Sequence, residues 1–180
     1  MSEQTVKKEI VEPLLTWYNA VKRNLPWRDK DNAYYTWVSE IMLQQTRVEA
    51  VKPYFNRFIS RLPDIQSLAI CPEEELMKLW EGLGYYSRVR NMQKAAIQIV
   101  EQYDGHLPKD FEKLLSLKGI GRYTAGAIAS IAYRIPVPAV AVSYTHLFQR
   151  CLCVYHDHLR WDFCTGVVQS SGKYPESTRQ

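Results

Sequence analysis

Leu115-Ser116-Leu117-Lys118-Gly119-Ile120-Gly121-Arg122-Tyr123-Thr124-Ala125-Gly126-Ala127-Ile128-Ala129 decides the fold of this chain. The spacing predicts a short apolar helix from Phe111 to Leu117 that ends at Lys118. A Gly119-Ile120-Gly121 hairpin follows, and a second helix opens at Arg122. Glycines one residue apart allow a tight turn, because Gly reaches positive φ without steric cost. They also leave the turn bare, so its N–H groups can approach a phosphate. The following helix N-terminus adds a positive dipole end. Such a unit grips a nucleic-acid backbone without reading bases. An ordinary αα-hairpin with a glycine turn uses the same Gly-x-Gly, and that reading stays open on these residues alone.

Working outward, the rest of the chain up to Tyr133 reads as helix. Ile10, Val11, Leu14, Leu15, Trp17, Tyr18 and Val21 form a helical stripe over 9–23. Leu25-Pro26-Trp27-Arg28 breaks it. Helices are predicted over Tyr34–Gln45 and Val48–Ile59, and Leu62-Pro63-Asp64 starts a short fourth. Cys71-Pro72-Glu73-Glu74-Glu75 opens another, with Pro and acids in its first turn. Gly82-Leu83-Gly84 stops that one. Ser87–Tyr103 is a long helix ended by Asp104-Gly105, and Leu107-Pro108 leads to the hairpin. No strand pattern of similar strength occurs. The fold class is all-α, with short connections and no repeat.

One hundred and eighty residues suit a single domain with a proper core. A hydrophobic content of 46% with 23% charged residues is that of a globular protein. No apolar run approaches the roughly 18 residues of a membrane span, so no membrane partner is expected. The polar segment 1–9 does not read as a signal peptide, which makes a cytoplasmic location the expectation. The net charge of +4 is too small to argue nucleic-acid binding unless it is local. Arg88 and Arg90 beside Tyr85-Tyr86, and Lys118 and Arg122 beside the hairpin, are such local groups. Cys71, Cys151, Cys153 and Cys164 form no metal-ligand pattern; Cys151-x-Cys153 is too tight for the usual knuckle. No metal site is expected.

Trp37-Val38-Ser39-Glu40-Ile41-Met42-Leu43-Gln44-Gln45-Thr46 carries the second strong signal. Glu40 stands among apolar neighbours. A carboxyl there loses hydration, and burial raises its pKa, as a general acid requires. An exposed helix glutamate is the competing reading.

Four segments together resemble the adenine DNA glycosylases, within the helix-hairpin-helix superfamily of base-excision glycosylases. They are Leu25-Pro26-Trp27-Arg28, Ser39 to Thr46, Trp80 to Asn91, and Gly119 to Ala127, in family order and at family spacing. The resemblance covers roughly residues 8–140. It implies a helix-hairpin-helix glycosylase domain over 1–141, with the hairpin at 111–133. It implies removal of adenine mispaired with 8-oxoguanine or guanine, with Glu40 protonating the leaving base and handling the attacking water. The partner would be double-stranded DNA holding an adenine mispair, bound by a monomer and, in a bacterial cell, at the nucleoid. Tyr85 would be the wedge that intercalates beside the oxidised guanine. Gln44, Gln45 and Thr46 would contact the duplex around the mismatch, and Trp27 and Arg28 would wall the pocket of the flipped adenine. The preceding Gly-Leu-Gly turn favours a loop tip over core packing for Tyr85. Arg88, Lys118, Gly119, Gly121 and Arg122 complete the expected DNA-binding set. Related lyases of the endonuclease III type carry a nucleophilic Lys where this chain has Tyr123. A tyrosine cannot form an imine, so the resemblance implies a monofunctional enzyme.

The pattern breaks after Pro138-Ala139-Val140. The family continues with Asp-Gly-Asn, whose Asp stabilises the cationic sugar; here Ala141 stands in that place. A methyl group stabilises no developing cation, and this polypeptide is expected to be severely impaired or inactive. Val142-Ser143-Tyr144-Thr145-His146-Leu147 resembles one reading frame of a transposon-end adapter used in DNA library preparation. On that reading 142–180 is a non-native tail; a natural divergent tail is the alternative. The family also carries a 4Fe–4S cluster on four cysteines spaced C-x6-C-x2-C-x5-C, which nothing here matches, so no cluster is expected in this chain. Helix 9–23 normally packs on that region and would be left with its stripe partly exposed. Two further readings stay in view. One is a non-catalytic DNA-binding fragment. The other is an abasic-site lyase of the endonuclease III type.

Overall fold

The computed structural model describes residues 3–28 and 32–140, with side chains from residue 9 onward. Ala141, the adapter-like string, Cys151, Cys153, Cys164 and the expected division at 141 lie outside them. Within them the chain is all-α, as the sequence predicts. Eight α-helices are followed by a π-helical turn, and the described residues hold no strand. The helices are α1 (Glu3–Val21), α2 (Ala33–Leu43), α3 (Val48–Arg61), α4 (Ile65–Ile70), α5 (Glu73–Trp80), α6 (Ser87–Tyr103), α7 (Phe111–Leu115) and α8 (Arg122–Ala127). The π turn is Ile128–Ala132. No described helix is long and apolar enough to cross a membrane.

Helix α2 is the centre of the fold. Asn32 caps it by accepting from the N–H groups of Tyr34 (2.9 Å) and Tyr35 (3.3 Å), which would otherwise lack partners. Trp37, Val38, Ile41 and Met42 are buried on several sides, as befits a helix wrapped by neighbours. Its buried hydroxyls are satisfied locally: Ser39 Oγ donates to the Thr36 carbonyl at 2.9 Å, and Thr36 Oγ1 to that of Asn32 at 3.2 Å. Helices α3 and α8 and the π turn pack against it. Val51, Phe55 and Phe58 recur every three or four residues along α3 and face the core. Phe58 meets Trp80 edge-on at 6.0 Å, and Phe55 meets Trp27 at 5.2 Å. The Tyr34 hydroxyl donates to the Leu62 carbonyl at 2.9 Å and pins α2 to the end of α3.

Element ends follow local chemistry. Asp64 and Ser67 form a reciprocal capping box at the start of α4. Helix α6 matches its predicted span and ends where Asp104 (φ 50°) and Gly105 (φ 74°) turn left-handed. Several boundaries differ from expectation; α1 ends at Val21 rather than residue 23, and α3 runs on to Arg61 rather than Ile59. Helix α1 begins at Glu3 rather than residue 9, running through Pro13. Helix α2 stops at Leu43 rather than Gln45, because Gln45 takes a left-handed φ of 61°. Helix α7 stops at Leu115 rather than Leu117; 116–119 is already turning.

Side chains 9–24 of α1 and the stretch after it are all exposed. The apolar stripe is there, with Leu14 54% and Trp17 61% exposed.

Candidate active site

Glu40 lies at the start of the last turn of α2, flanked by buried Ser39 and Ile41. Glu40 is half-buried and lines a cleft of about 270 Å³. Leu25, Trp27, Arg28, Leu43, Gln44, Val48, Tyr123 and Ile131 line it with Glu40. Burial pushes the Glu40 carboxyl above its usual range; a hydrogen bond from the Tyr123 hydroxyl and the positive charge of Arg28 pull it partly back. An acid placed between such opposing influences can give up a proton and then hold the resulting anion.

Tyr123 reaches this position through the hairpin. Asp110 caps α7 by accepting from Lys113 N–H at 2.9 Å. The Ile120 N–H then bonds back to the Leu117 carbonyl at 3.2 Å, and Ile120 is buried, so the tip is anchored on the core. The two glycines differ. Gly119 has φ 79°, and a Cβ there would lie 2.9 Å from that of Asn91 on α6. Gly121 is extended at φ −89°, with nothing within 4 Å of an added Cβ. The expectation that both glycines serve the turn by positive φ is therefore corrected: only Gly119 does, and Gly121 presents a bare, open backbone. Lys118, Gly119, Gly121 and Arg122 are exposed at this tip.

After α8 the helix widens into the π turn, which brings Ile131 to the cleft wall. The extended segment 136–140 then crosses α8 at Gly126, where a Cβ would lie 2.4 Å from the Pro138 carbonyl oxygen. Only a glycine permits that approach.

Five expected residues, Trp27, Arg28, Glu40, Gln44 and Tyr123, thus line one cleft. Gln45 and Tyr85 stand on exposed loops, and Thr46 is half-buried beside Gln45. Both Gln45 (φ 61°) and Tyr85 (φ 48°) hold left-handed backbone that side chains rarely adopt. Arg88 needs a correction. The sequence offers it as local charge available to DNA, but its guanidinium is turned inward. Nη1 donates to the carbonyls of Ile41 (2.9 Å), Met42 (3.3 Å) and Gln44, and Nη2 to those of Leu83 (3.1 Å) and Gly84 (3.2 Å). Burial lowers its pKa. Leu43, Val48, Arg23 and Ile131 are cleft residues the sequence did not single out, since nothing in a helical period marks a wall facing a cavity.

No metal site is built from the described residues: no three of their His, Cys, Asp or Glu side chains are grouped to hold an ion. Cys71 is buried, its thiol faces the Pro72 carbonyl at 3.5 Å, and burial raises its pKa, which favours a thiol over a ligating thiolate.

Residues 38–158 match the model of the family described as HhH-GPD superfamily base excision DNA repair protein. The chain belongs to this superfamily. Among curated relatives, adenine DNA glycosylase of Mus musculus is 50% identical over 129 residues, 67% of this chain and 25% of the relative. That of Buchnera aphidicola subsp. Baizongia pistaciae is 43% identical over 125 residues, 69% and 36%. That of Mycolicibacterium smegmatis is 39% identical over 140 residues, 77% and 48%. The chain therefore spans between a quarter and a half of the length of these relatives. Among solved structures, a thermostable thymine-DNA glycosylase superposes with a TM-score of 0.73 at 24% identity, over 81% of this chain and 67% of that one. A non-covalent endonuclease III–DNA complex gives 0.66 at 24% identity, over 87% and 71%. These two likenesses establish the shared fold.

Proposed function

We propose that this chain is the catalytic-core portion of a monofunctional adenine DNA glycosylase, acting on adenine opposite 8-oxoguanine or guanine in double-stranded DNA. The observation that carries it is the half-buried Glu40, hydrogen-bonded by Tyr123 and walled by Trp27 and Arg28. The 39–50% identity to adenine DNA glycosylases supports the choice of base.

A base inside a duplex is out of reach, so the target nucleotide must be extruded into the cleft. Glu40, whose hold on its proton burial strengthens, gives that proton to a ring nitrogen of the purine. The N-glycosidic bond breaks, its electron pair leaving with the base and its positive charge staying on the sugar. The Glu40 carboxylate then takes a proton from the water that attacks C1′. Tyr123 holds the carboxylate between these steps and offers no amine, so no Schiff base forms and the strand stays whole. Bare backbone at Gly121, with Lys118 and Arg122 beside it, suits a phosphate. With Ala141 where the family has Asp, the sugar cation lacks a carboxylate partner, and the chain as it stands binds DNA but releases adenine slowly.

The test is single-turnover release of free adenine from a duplex carrying adenine opposite 8-oxoguanine, measured by chromatography. Ala141→Asp is expected to release adenine, leaving the strand intact until alkali is added. Adding Glu40→Gln to it should slow release by about 100-fold or more. Borohydride trapping of a protein–DNA adduct would instead establish a lyase. Absence of adenine release together with equal affinity for mispaired and paired duplexes would overturn the reading.

A further inference from the structure

Arg88 is the least expected residue of the site. Five carbonyl oxygens converge on one side chain, three from the end of α2 and the turn after it, two from the Gly82–Gly84 turn. The two sets are about forty residues apart in sequence, and the two forks of the guanidinium divide them cleanly. Nη1 takes the α2 side and Nη2 takes the other. The helix end would otherwise leave its last carbonyls without partners, and a cation there also answers the negative end of the helix dipole. The Trp80 indole N–H adds a second donor to the Gly84 carbonyl, at 3.0 Å. The guanidinium carbon lies 5.5 Å from the Trp80 ring centre and 5.6 Å from that of Tyr85.

The carbonyls chosen matter more than their number. Gln44 directly precedes Gln45, and Gly84 directly precedes Tyr85. These followers are two of the four described non-glycine residues with positive φ. Fixing a carbonyl fixes the peptide plane, and hence the direction in which the next residue leaves. One planar cation therefore holds both peptide planes that launch the strained residues, while both side chains stay exposed, Tyr85 at 65%. A lysine could not do this, because a single ammonium has no rigid fork to span the two rims.

We infer that Arg88 is a positioning residue that mounts the Gln44–Thr46 turn and the Gly84–Tyr85 turn on one support, so that the residue probing the mismatch and the residue entering the stack approach a duplex in fixed register. The inference rests on the function proposed above for its DNA consequence, but the coupling of the two turns stands on geometry alone.

Hydrogen exchange by mass spectrometry on the full chain tests the coupling. Arg88→Met removes the fork and keeps an unbranched apolar stem. Exchange is expected to quicken about tenfold in both 43–47 and 83–86, with the second half of α6 unchanged. Arg88→Lys should quicken both segments less, and it carries the test if the methionine variant does not fold. Arg90→Met is the control; Arg90 sits two residues on, exposed and paired with Glu73 at 2.8 Å, and should change neither segment. Acceleration confined to 83–86, or no acceleration, overturns the inference. A second arm compares affinity for a duplex with adenine opposite 8-oxoguanine against a fully paired duplex. Arg88→Met should lower that preference about tenfold while changing affinity for the paired duplex less than about twofold. Equal loss on both duplexes would make Arg88 a phosphate contact and overturn the positioning role. If the unaltered chain shows no preference at all, the proposed function fails while the exchange data still decide the coupling.

Discussion

Glu40 and Tyr123 show how a titratable pair is tuned within a half-open cleft. Burial favours the neutral acid, and the tyrosine hydroxyl and Arg28 favour the anion; burial is the stronger influence. The folded chain therefore holds the Glu40 proton to a higher pH than the unfolded chain does. Above the ordinary 4.5 and up to the raised value, the folded state binds more protons, so this residue's contribution to stability is complete below 4.5 and declines as pH rises through that window. Glu40→Gln should remove the decline. Thermal melts are expected to show the variant above the parent at pH 7, with the gap closing below 4.5; a constant gap across pH would contradict the buried-acid account. Tyr123→Phe withdraws a donor from the anion, so Glu40 should titrate higher still. The fall in adenine release by the Ala141→Asp form as Glu40 loses its proton should then move to higher pH, read from a pH–rate profile.

At the scale of elements, the hairpin separates two jobs that one motif hides. Gly119→Ala must place a side chain at φ 79° against Asn91, and should cost about 1–2 kcal/mol in denaturant unfolding. Gly121→Ala meets open space on extended backbone, so stability should move by less than about 0.5 kcal/mol. Its methyl group would nevertheless cover the bare backbone, and duplex affinity measured by anisotropy should fall. Loss of stability at Gly121, or unchanged DNA affinity there, would refute this division. Much of the element order was legible. Asp64 with Ser67, Pro72 with its acids, and Asp104-Gly105 announce their boundaries through local hydrogen bonding and φ, which depend on a few neighbours. The left-handed Gln45 was not legible, because its conformation is imposed by Arg88 from more than forty residues away. The inward turn of Arg88 was hidden for the same reason: a charged residue beside two tyrosines reads as surface until the carbonyls it meets are known. The cleft was legible in its acid, its Trp27-Arg28 wall and Tyr123, and illegible in Ile131, which reaches it only through a widened turn.

Among the described residues a tightly packed core contrasts with one helix whose side chains are all exposed. Trp37, Trp80, Phe58 and Met42 are fully buried, whereas every side chain from 9 to 24 is exposed. Stability should therefore be unevenly distributed. Phe58→Ala opens a cavity beside Trp80 and should cost about 3–5 kcal/mol. Trp17→Ser and Leu14→Ser on α1 should each change unfolding by less than about 0.5 kcal/mol. Urea titrations of the three variants check this; a large loss at Trp17 would mean that the stripe is already engaged.

The π turn has a consequence for how the gene can change. Such a turn is, in effect, an α-helix carrying one surplus residue. Losing a single codon between Ile128 and Ala132 would therefore regularise the helix rather than break it, and the chain could still fold. Ile131 would swing by about 100° away from the cleft, and segment 136–140 would miss its crossing at Gly126. A one-codon deletion here would pass a test of folding and fail a test of function, so in this short stretch length matters more than residue identity.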